Sequence, residues 1–171
     1  RDILIGHLPP TMFSDYRYVM VAVITSVIVF IVAYIFRDSY RKSEKTVDAV
    51  NNVFDALGLG VFTVMGAKVA IESGFTVNGI LVVCLAVVTG VGGGLIRDVM
   101  LMEIPFVLKK RIYAVASILG GTAYHLMYIH NVNVRAASII AVLIVFAVRI
   151  FATVFKLDLP KVRFPKEEKS I

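Results

Sequence analysis

Long stretches without charged residues are the feature that most limits how this chain can fold. A helix needs about 20 mostly apolar residues to cross the hydrocarbon core of a bilayer. Residues 18–36, 73–96 and 112–134 carry no charge at all. Residues 49–71 contain only Asp55 and Lys68, and residues 136–155 contain only Arg149. We therefore predict five membrane spans.

The composition agrees with a membrane protein. Hydrophobic residues make up 58% of the chain and charged residues 18%, whereas soluble domains are about 45–50% apolar. The predicted fold class is an all-α, polytopic membrane helix bundle. Its expected spans are 17–36, 49–72, 73–98, 112–130 and 135–155, with a polar segment at 1–16 and a basic tail at 156–171.

The basic residues lie mostly on one predicted side of the membrane. Thirteen lie after the first, third and fifth spans: Arg37, Arg41, Lys42, Lys45, Arg97, Lys109, Lys110, Arg111, Lys156, Lys161, Arg163, Lys166 and Lys169. Only Arg1, Arg17 and Arg135 fall on the other side. Cytoplasmic loops carry the excess of lysine and arginine, which predicts a cytosolic carboxyl terminus. The net charge of +6 is thereby explained without nucleic acid.

Two segments of the sequence resemble each other. RDILIGHLPPTMFSDY begins at residue 1, and RDVMLMEIPFVLKKRIY begins at Arg97. Each has Arg-Asp, then a proline and a tyrosine, and each precedes a predicted span. Three spans separate the two copies, so the copies face opposite sides of the membrane. This pattern indicates an inverted repeat, which we expect to begin before residue 1. Inverted repeats commonly form a transport pathway near their interface.

A run of glycines ends the third predicted span, in VTGVGGGLIRD. Gly90 and Gly92 to Gly94 each cost about 1 kcal/mol relative to alanine inside a helix. A broken helix is tolerated in a membrane only where its freed backbone groups face protein or water. The run therefore predicts a kink that lines a pore, and the alternative is close helix packing through small residues.

Charges within spans are costly and usually face a cavity or a partner. Asp55 is predicted to pair with Arg149 or Arg97, which lie in the same half of the membrane. Arg97 is also able to pair with Asp98 or to bind lipid headgroups. Lys68 has two interpretations, a gating charge that responds to voltage or a side chain that snorkels to the interface.

The sequence contains no recognisable catalytic set, metal cluster or phosphate-binding loop, so we predict neither an enzyme nor a cofactor. The single cysteine, Cys84, has no partner for an intrachain disulfide and is interpreted as a packing residue. His125 is interpreted as a hydrogen-bonded packing residue, with a proton relay as the alternative.

Two segments carry a resemblance to a known family: DALGLGVFTVMGAKVAIESG and VTGVGGGLIRDVMLMEIPFVLKKRIYAVASILGG. They resemble prokaryotic members of the trimeric intracellular cation (TRIC) channel family, also known as UPF0126 or glycine transporter domains. The resemblance implies seven helices, built from two inverted three-helix repeats and a final helix, in a homotrimer with a pore in each subunit. The five spans here would be the third to seventh.

The resemblance also implies roles for individual residues. A pore for potassium, sodium or other monovalent cations would be lined by glycines, with Thr89 as a hydroxyl ligand and Lys68 as a gating residue. The expected pore or hinge glycines are Gly58, Gly60, Gly90, Gly92, Gly93 and Gly94. Arg97, Lys109, Lys110 and Arg111 would attract anionic lipid headgroups.

The predicted function is a weakly selective potassium channel in a prokaryotic inner membrane, since the sequence contains no motif for a carbonyl-ring filter. The alternative is an alternating-access transporter of a small amino acid such as glycine. A membrane subunit without transport activity is the third hypothesis.

Overall fold

The computed structural model describes residues 1–35, 44–109 and 112–155, and its regular structure is entirely helical there. The helices are α1 (Thr11–Ser14), α2 (Tyr16–Ile35), α3 (Glu44–Ala70), α4 (Gly79–Met100), α5 (Phe106–Lys109), α6 (Ile112–Ile129) and α7 (Val134–Val154). Five of them (α2, α3, α4, α6 and α7) are long and apolar enough to cross a membrane, which confirms the predicted number. The loop around Arg37, residues Lys110 and Arg111 and the basic tail 156–171 lie outside the described residues.

The boundary between the second and third spans differs from the prediction. A π-helical segment, Ile71–Phe75, continues α3, and the chain kinks within it at Gly74, which has a φ of 91°. Such a positive φ suits glycine, which lacks the Cβ that would clash. Asn78 then caps α4, since its side-chain oxygen accepts a hydrogen bond from the backbone N–H of Leu81 at 3.1 Å. The third span therefore begins at Gly79 and not at residue 73.

Helices α3, α4, α6 and α7 form the packed bundle. Small residues are fully buried where they meet, including Ala67, Ala86 and Ala141. A Cβ added at Gly66 would lie 2.6 Å from the backbone oxygen of Leu85, so α3 and α4 approach closely there. Lipid tails are as apolar as the helix surfaces, so the hydrophobic effect does not drive helix association within a bilayer. Close van der Waals packing of small residues stabilises the association instead.

Helix α2 differs from the other four spans in that it lies apart from the bundle. Among the described helices it contacts only α1, and none of its residues is buried. Its apolar side chains are therefore available to lipid or to other protein surfaces.

The two similar segments adopt similar turns. In the first, Arg1 binds Asp2, and the N–H of His7 donates to the Asp2 carbonyl at 2.9 Å. In the second, Arg97 binds Asp98, and the N–H of Glu103 donates to the Asp98 carbonyl, also at 2.9 Å. Each turn is followed by a four-residue helix, α1 or α5.

The two turns lie at opposite ends of the bundle. Ile5 of the first turn packs against the core cluster that contains Ile71 and Val82, near the end where α3 stops and α4 begins. Arg97 lies in the last turn of α4, at the other end. This placement agrees with the predicted inversion of the two copies.

Candidate functional site

A polar cavity of about 710 Å³ opens between α3, α4 and α6, at the end of the bundle where α4 finishes. Its lining is formed by Asn51, Asn52, Phe54, Asp55, Gly58, Leu59, Phe62, Gly90, Gly93, Gly94, Arg97 and Tyr113. Two charged side chains, two amides and a phenol thus surround a space large enough for many water molecules. The cavity is the candidate functional site.

A buried ion pair lies in one wall of this cavity. Arg149 of α7 is 1% exposed in its side chain, and its Nη2 lies 3.0 Å from Oδ2 of Asp55 in α3, whose side chain is 22% exposed. The same nitrogen lies 3.4 Å from Oδ1 of Asn52. Arginine is costly to place in a membrane without a partner, so this pair accounts for both charges within their spans.

Tyr113 of α6 completes the wall. Its hydroxyl donates a hydrogen bond to Oδ1 of Asp55 at 3.2 Å, and the Arg149 guanidinium lies 4.6 Å from the centre of its ring. A guanidinium over an aromatic face is attracted by the negative face of the ring. The network therefore joins α3, α6 and α7 through a single carboxylate.

The structure distinguishes between the two arginines considered for Asp55. Arg149 binds it, whereas Arg97 donates from Nε and Nη2 to Oδ1 of Asp98, at 3.1 and 3.0 Å. Arg97 still lines the cavity, at its mouth. The sequence did not predict that Asn52 and Tyr113 share this site, although Tyr113 belongs to the internal repeat.

The glycine run does not break the helix. Helix α4 continues as one α-helix from Gly79 to Met100. Glycine permits a break without requiring one, and a continuous helix keeps every backbone group hydrogen-bonded within the bilayer. Gly93 and Gly94 line the cavity, but Gly92 does not. At Gly93 and Gly94 the helix therefore presents backbone without side chains to the cavity.

The other predicted pore residues divide between the cavity and the helix contacts. Gly58 lines the cavity with open space around it. Gly60 instead packs against Val142 of α7, where an added Cβ would lie 3.1 Å from the backbone oxygen. Thr89 lies outside the cavity lining, and its hydroxyl donates to the Leu85 carbonyl at 2.6 Å. Both hypotheses for the glycines, cavity lining and close packing, therefore apply at different positions.

Gly90 marks the inner end of the cavity. It is buried, and a Cβ there would lie 2.6 Å from the Thr63 hydroxyl and 2.9 Å from the Ser117 hydroxyl. These two hydroxyls are 2.7 Å apart and hydrogen-bonded to each other, and both side chains are fully buried. The pair joins α3 to α6 just beyond the cavity lining. No sequence pattern singled it out.

Lys68 lies away from the cavity, near the other end of α3. Its side chain is half exposed, and its Nζ lies 3.7 Å from Oε1 of Glu72 one turn later. The sequence did not predict Glu72 as the partner of Lys68. In this arrangement Lys68 reaches the surface of the bundle, as a snorkelling side chain does.

His125 and Cys84 line a second, mostly apolar cavity of about 1010 Å³ between α4 and α6. His125 is buried against Gly79, where an added Cβ would lie 2.8 Å from Nε2. Over the part of the chain that the structure describes, no group of three or more His, Cys, Asp or Glu side chains could hold a metal ion.

Comparison with known sequences identifies relatives. Residues 52–129 match the family described as glycine transporter. The chain is 34% identical over 164 residues to the UPF0126 inner membrane protein YadS of Escherichia coli K12, covering 94% of this chain and 73% of YadS. It is also 34% identical over 131 residues to the UPF0126 membrane protein YvgT of Bacillus subtilis, covering 77% of this chain and 60% of YvgT.

Comparison with solved structures identifies the same fold. A structure from work on conductance through TRIC cation channels matches with a TM-score of 0.78 at 31% identity, covering 95% of this chain and 75% of that one. The TRIC orthologue from Rhodobacter sphaeroides matches with a TM-score of 0.78 at 26% identity, covering 91% and 75%. The chain therefore belongs to the UPF0126 family of membrane proteins and shares the fold of the TRIC channels.

Proposed function

We propose that this chain is the subunit of a homotrimeric channel that conducts potassium and other monovalent cations through the cavity between α3, α4 and α6. The observation that carries the proposal is the group of charged, amide and phenol side chains that line this cavity inside an apolar bundle. Polar groups in a membrane protein usually face a water-filled pathway. Its solved structural neighbours are described as cation channels, and one was crystallised in 0.5 M KCl.

The cavity favours a channel over a transporter of glycine. A site for zwitterionic glycine needs a protein carboxylate that binds the ammonium group of glycine and a cationic side chain that binds its carboxylate. Both side chains must be able to release their protein partners when glycine binds. Asp55 is instead bound by Arg149 and Tyr113, and Arg97 is bound by Asp98. Gly58, Gly93 and Gly94 leave the walls free of side chains, which suits a path for hydrated ions.

Orientation follows from the distribution of basic residues. Because the excess of lysine and arginine marks the cytosolic side, the cavity mouth at Arg97 would open to the cytosol of a bacterial or archaeal cell. Its relative YadS is described as an inner membrane protein. A fluorescent protein fused to the carboxyl terminus should then fold and fluoresce in the cytosol.

Planar-bilayer recording of the purified full-length protein tests the function. We expect unitary currents in potassium chloride that reverse near the potassium equilibrium potential under a gradient. A silent bilayer together with saturable glycine uptake into liposomes would instead establish the transporter. The absence of both would favour a subunit without transport activity.

The same recordings test the gating role proposed for Lys68. A gating charge feels about 2.3 kcal/mol per 100 mV of membrane potential. Lys68→Gln should then change the voltage dependence of opening. An unchanged voltage dependence would leave only the snorkelling interpretation.

A further inference from the structure

Arg97 is placed differently from the other charges of the cavity. Its side chain is 58% exposed at the mouth, whereas that of Asp98, which binds it, is 9% exposed. The guanidinium is therefore held on one side by a buried carboxylate and meets water on the other. The Arg97–Asp98 pair therefore presents its positive end to the mouth, because the guanidinium is exposed and the carboxylate is buried behind it.

Inside the cavity the ion pair formed by Asp55 and Arg149 has the opposite orientation, since its carboxylate faces the space and its arginine is buried. The Asp55 carboxylate faces the space, but Arg149 binds it from within the bundle at 3.0 Å. A cation at the mouth therefore meets the Arg97 charge before it reaches a carboxylate that is already paired. Walls of low dielectric constant strengthen such fields compared with open water.

We propose that Arg97 controls cation entry into the channel, and that its exposed positive charge limits the rate at which cations enter from this mouth. This inference rests on the proposed function. A charge at one mouth lowers the local cation concentration on that side only. Conductance should therefore depend on the charge at position 97, and the dependence should be larger for current that enters from this side.

Chemical modification of a cysteine allows the charge at position 97 to be varied within one folded variant, so that the loss of the Arg97–Asp98 contact is common to the whole series. In a Cys84→Ser background, Arg97→Cys gives a neutral side chain. A thiol reagent that carries a quaternary ammonium then restores a positive charge, and one that carries a sulfonate adds a negative charge. Uncharged lipids in the bilayer exclude an effect through anionic headgroups.

The expected result is a graded series. In 0.1 M potassium chloride, unitary conductance should rise about twofold from the positive to the neutral side chain and again towards the negative one, mostly for current entering at this mouth. At 1 M salt the Debye length shrinks to about 3 Å, and the differences should nearly disappear. A residue that only stabilises the fold would show neither the order of charges nor the salt dependence.

Arg135→Cys in the same background is the matched control, because Arg135 is exposed near the start of α7, at the opposite end from the cavity, and is absent from its lining. The same reagents should change its conductance little at this mouth. If the wild type conducts but the charge at position 97 has no graded, salt-dependent effect, the role of Arg97 is refuted. If the wild type itself passes no current, the proposed function fails first.

Discussion

Arg149 reaches from the last membrane helix to Asp55, 94 residues earlier, and binds its carboxylate at 3.0 Å. Both residues lie within spans, where an isolated charge is strongly unfavourable. The pair also receives the Tyr113 hydroxyl. This ion pair thus links α7 to the side of α3 that lines the cavity.

Removing the Arg149 guanidinium alone should destabilise the protein more than removing both Arg149 and the Asp55 charge. Arg149→Met leaves the Asp55 carboxylate without its ion-pair partner, and because this carboxylate is 22% exposed towards the cavity, we expect a loss of about 1–3 kcal/mol. The double variant Asp55→Asn, Arg149→Met retains no charge and should recover part of this loss. Thermal unfolding in detergent measures the difference.

The exposed Arg135→Met serves as the control for the loss of an arginine and should change the unfolding midpoint little. If the double variant is no more stable than Arg149→Met alone, the pair does not account for the burial of Arg149.

The glycines should differ in what an added methyl group does. Gly66→Ala places a Cβ 2.6 Å from the Leu85 backbone oxygen, and backbone cannot yield as a flexible side chain does. We expect a loss of about 1–3 kcal/mol. Gly92 has open space around its Cβ position, so Gly92→Ala should be neutral or up to about 1 kcal/mol stabilising through helix propensity. Thermal unfolding compares the two variants.

Gly93→Ala should separate folding from conduction. No atom lies within 4 Å of its added Cβ, so the variant should fold and assemble normally. The methyl group would nevertheless enter the cavity and lower the unitary conductance in bilayer recordings. Normal conductance with impaired assembly would contradict this prediction and support a purely structural role for the glycine run.

The number of spans could be predicted from the sequence because about 20 mostly apolar residues are long enough for a helix to cross a bilayer. The repeat could also be predicted, since Arg-Asp and proline recur in order and the structure places them in matching turns. The sequence predicts Arg149 or Arg97 as the partner of Asp55, because all three residues lie in the same half of the membrane.

Other features depended on geometry that the sequence does not encode locally. A glycine run is compatible with both a broken and a continuous helix, and the structure has the continuous form in α4. The contribution of Tyr113 depends on the rotation of α6, which places its hydroxyl against Asp55. The Thr63–Ser117 contact joins residues 54 positions apart, and no pattern in either helix marks it.

Asp2 should remain ionised at unusually low pH. Burial raises the pKa of this carboxyl, but hydrogen bonds from the Thr11 backbone N–H and from Arg1 outweigh that effect and lower the pKa from 3.8 to about 2. Since the pKa is lowered in the fold, its stabilising contribution is complete above about pH 4 and is lost as the pH falls through 2. The Thr11 amide proton shift should follow this ionisation by NMR.

Asp2→Asn should abolish that titration and weaken protection of the Thr11 amide from hydrogen exchange at neutral pH. Asp15→Asn is the matched control, because the Asp15 side chain is more exposed than that of Asp2, and its Oδ1 lies 3.9 Å from Nε of Arg17. A titration midpoint near pH 4 for the Thr11 amide shift would show that the contacts of Asp2 do not lower its pKa in solution.

The buried hydroxyl pair should show coupling between its two members. Thr63→Val or Ser117→Ala alone leaves the other hydroxyl without this partner, and an unsatisfied buried polar group costs about 1–3 kcal/mol. The double variant removes both groups and should cost less than the sum of the single losses, by about 0.5–1.5 kcal/mol. Ser138→Ala is the control for the loss of a hydroxyl, because Ser138 lies outside this pair and donates to the Val134 carbonyl of its own helix at 2.8 Å. Additive losses in thermal unfolding would mean that the 2.7 Å contact does not join α3 to α6 energetically.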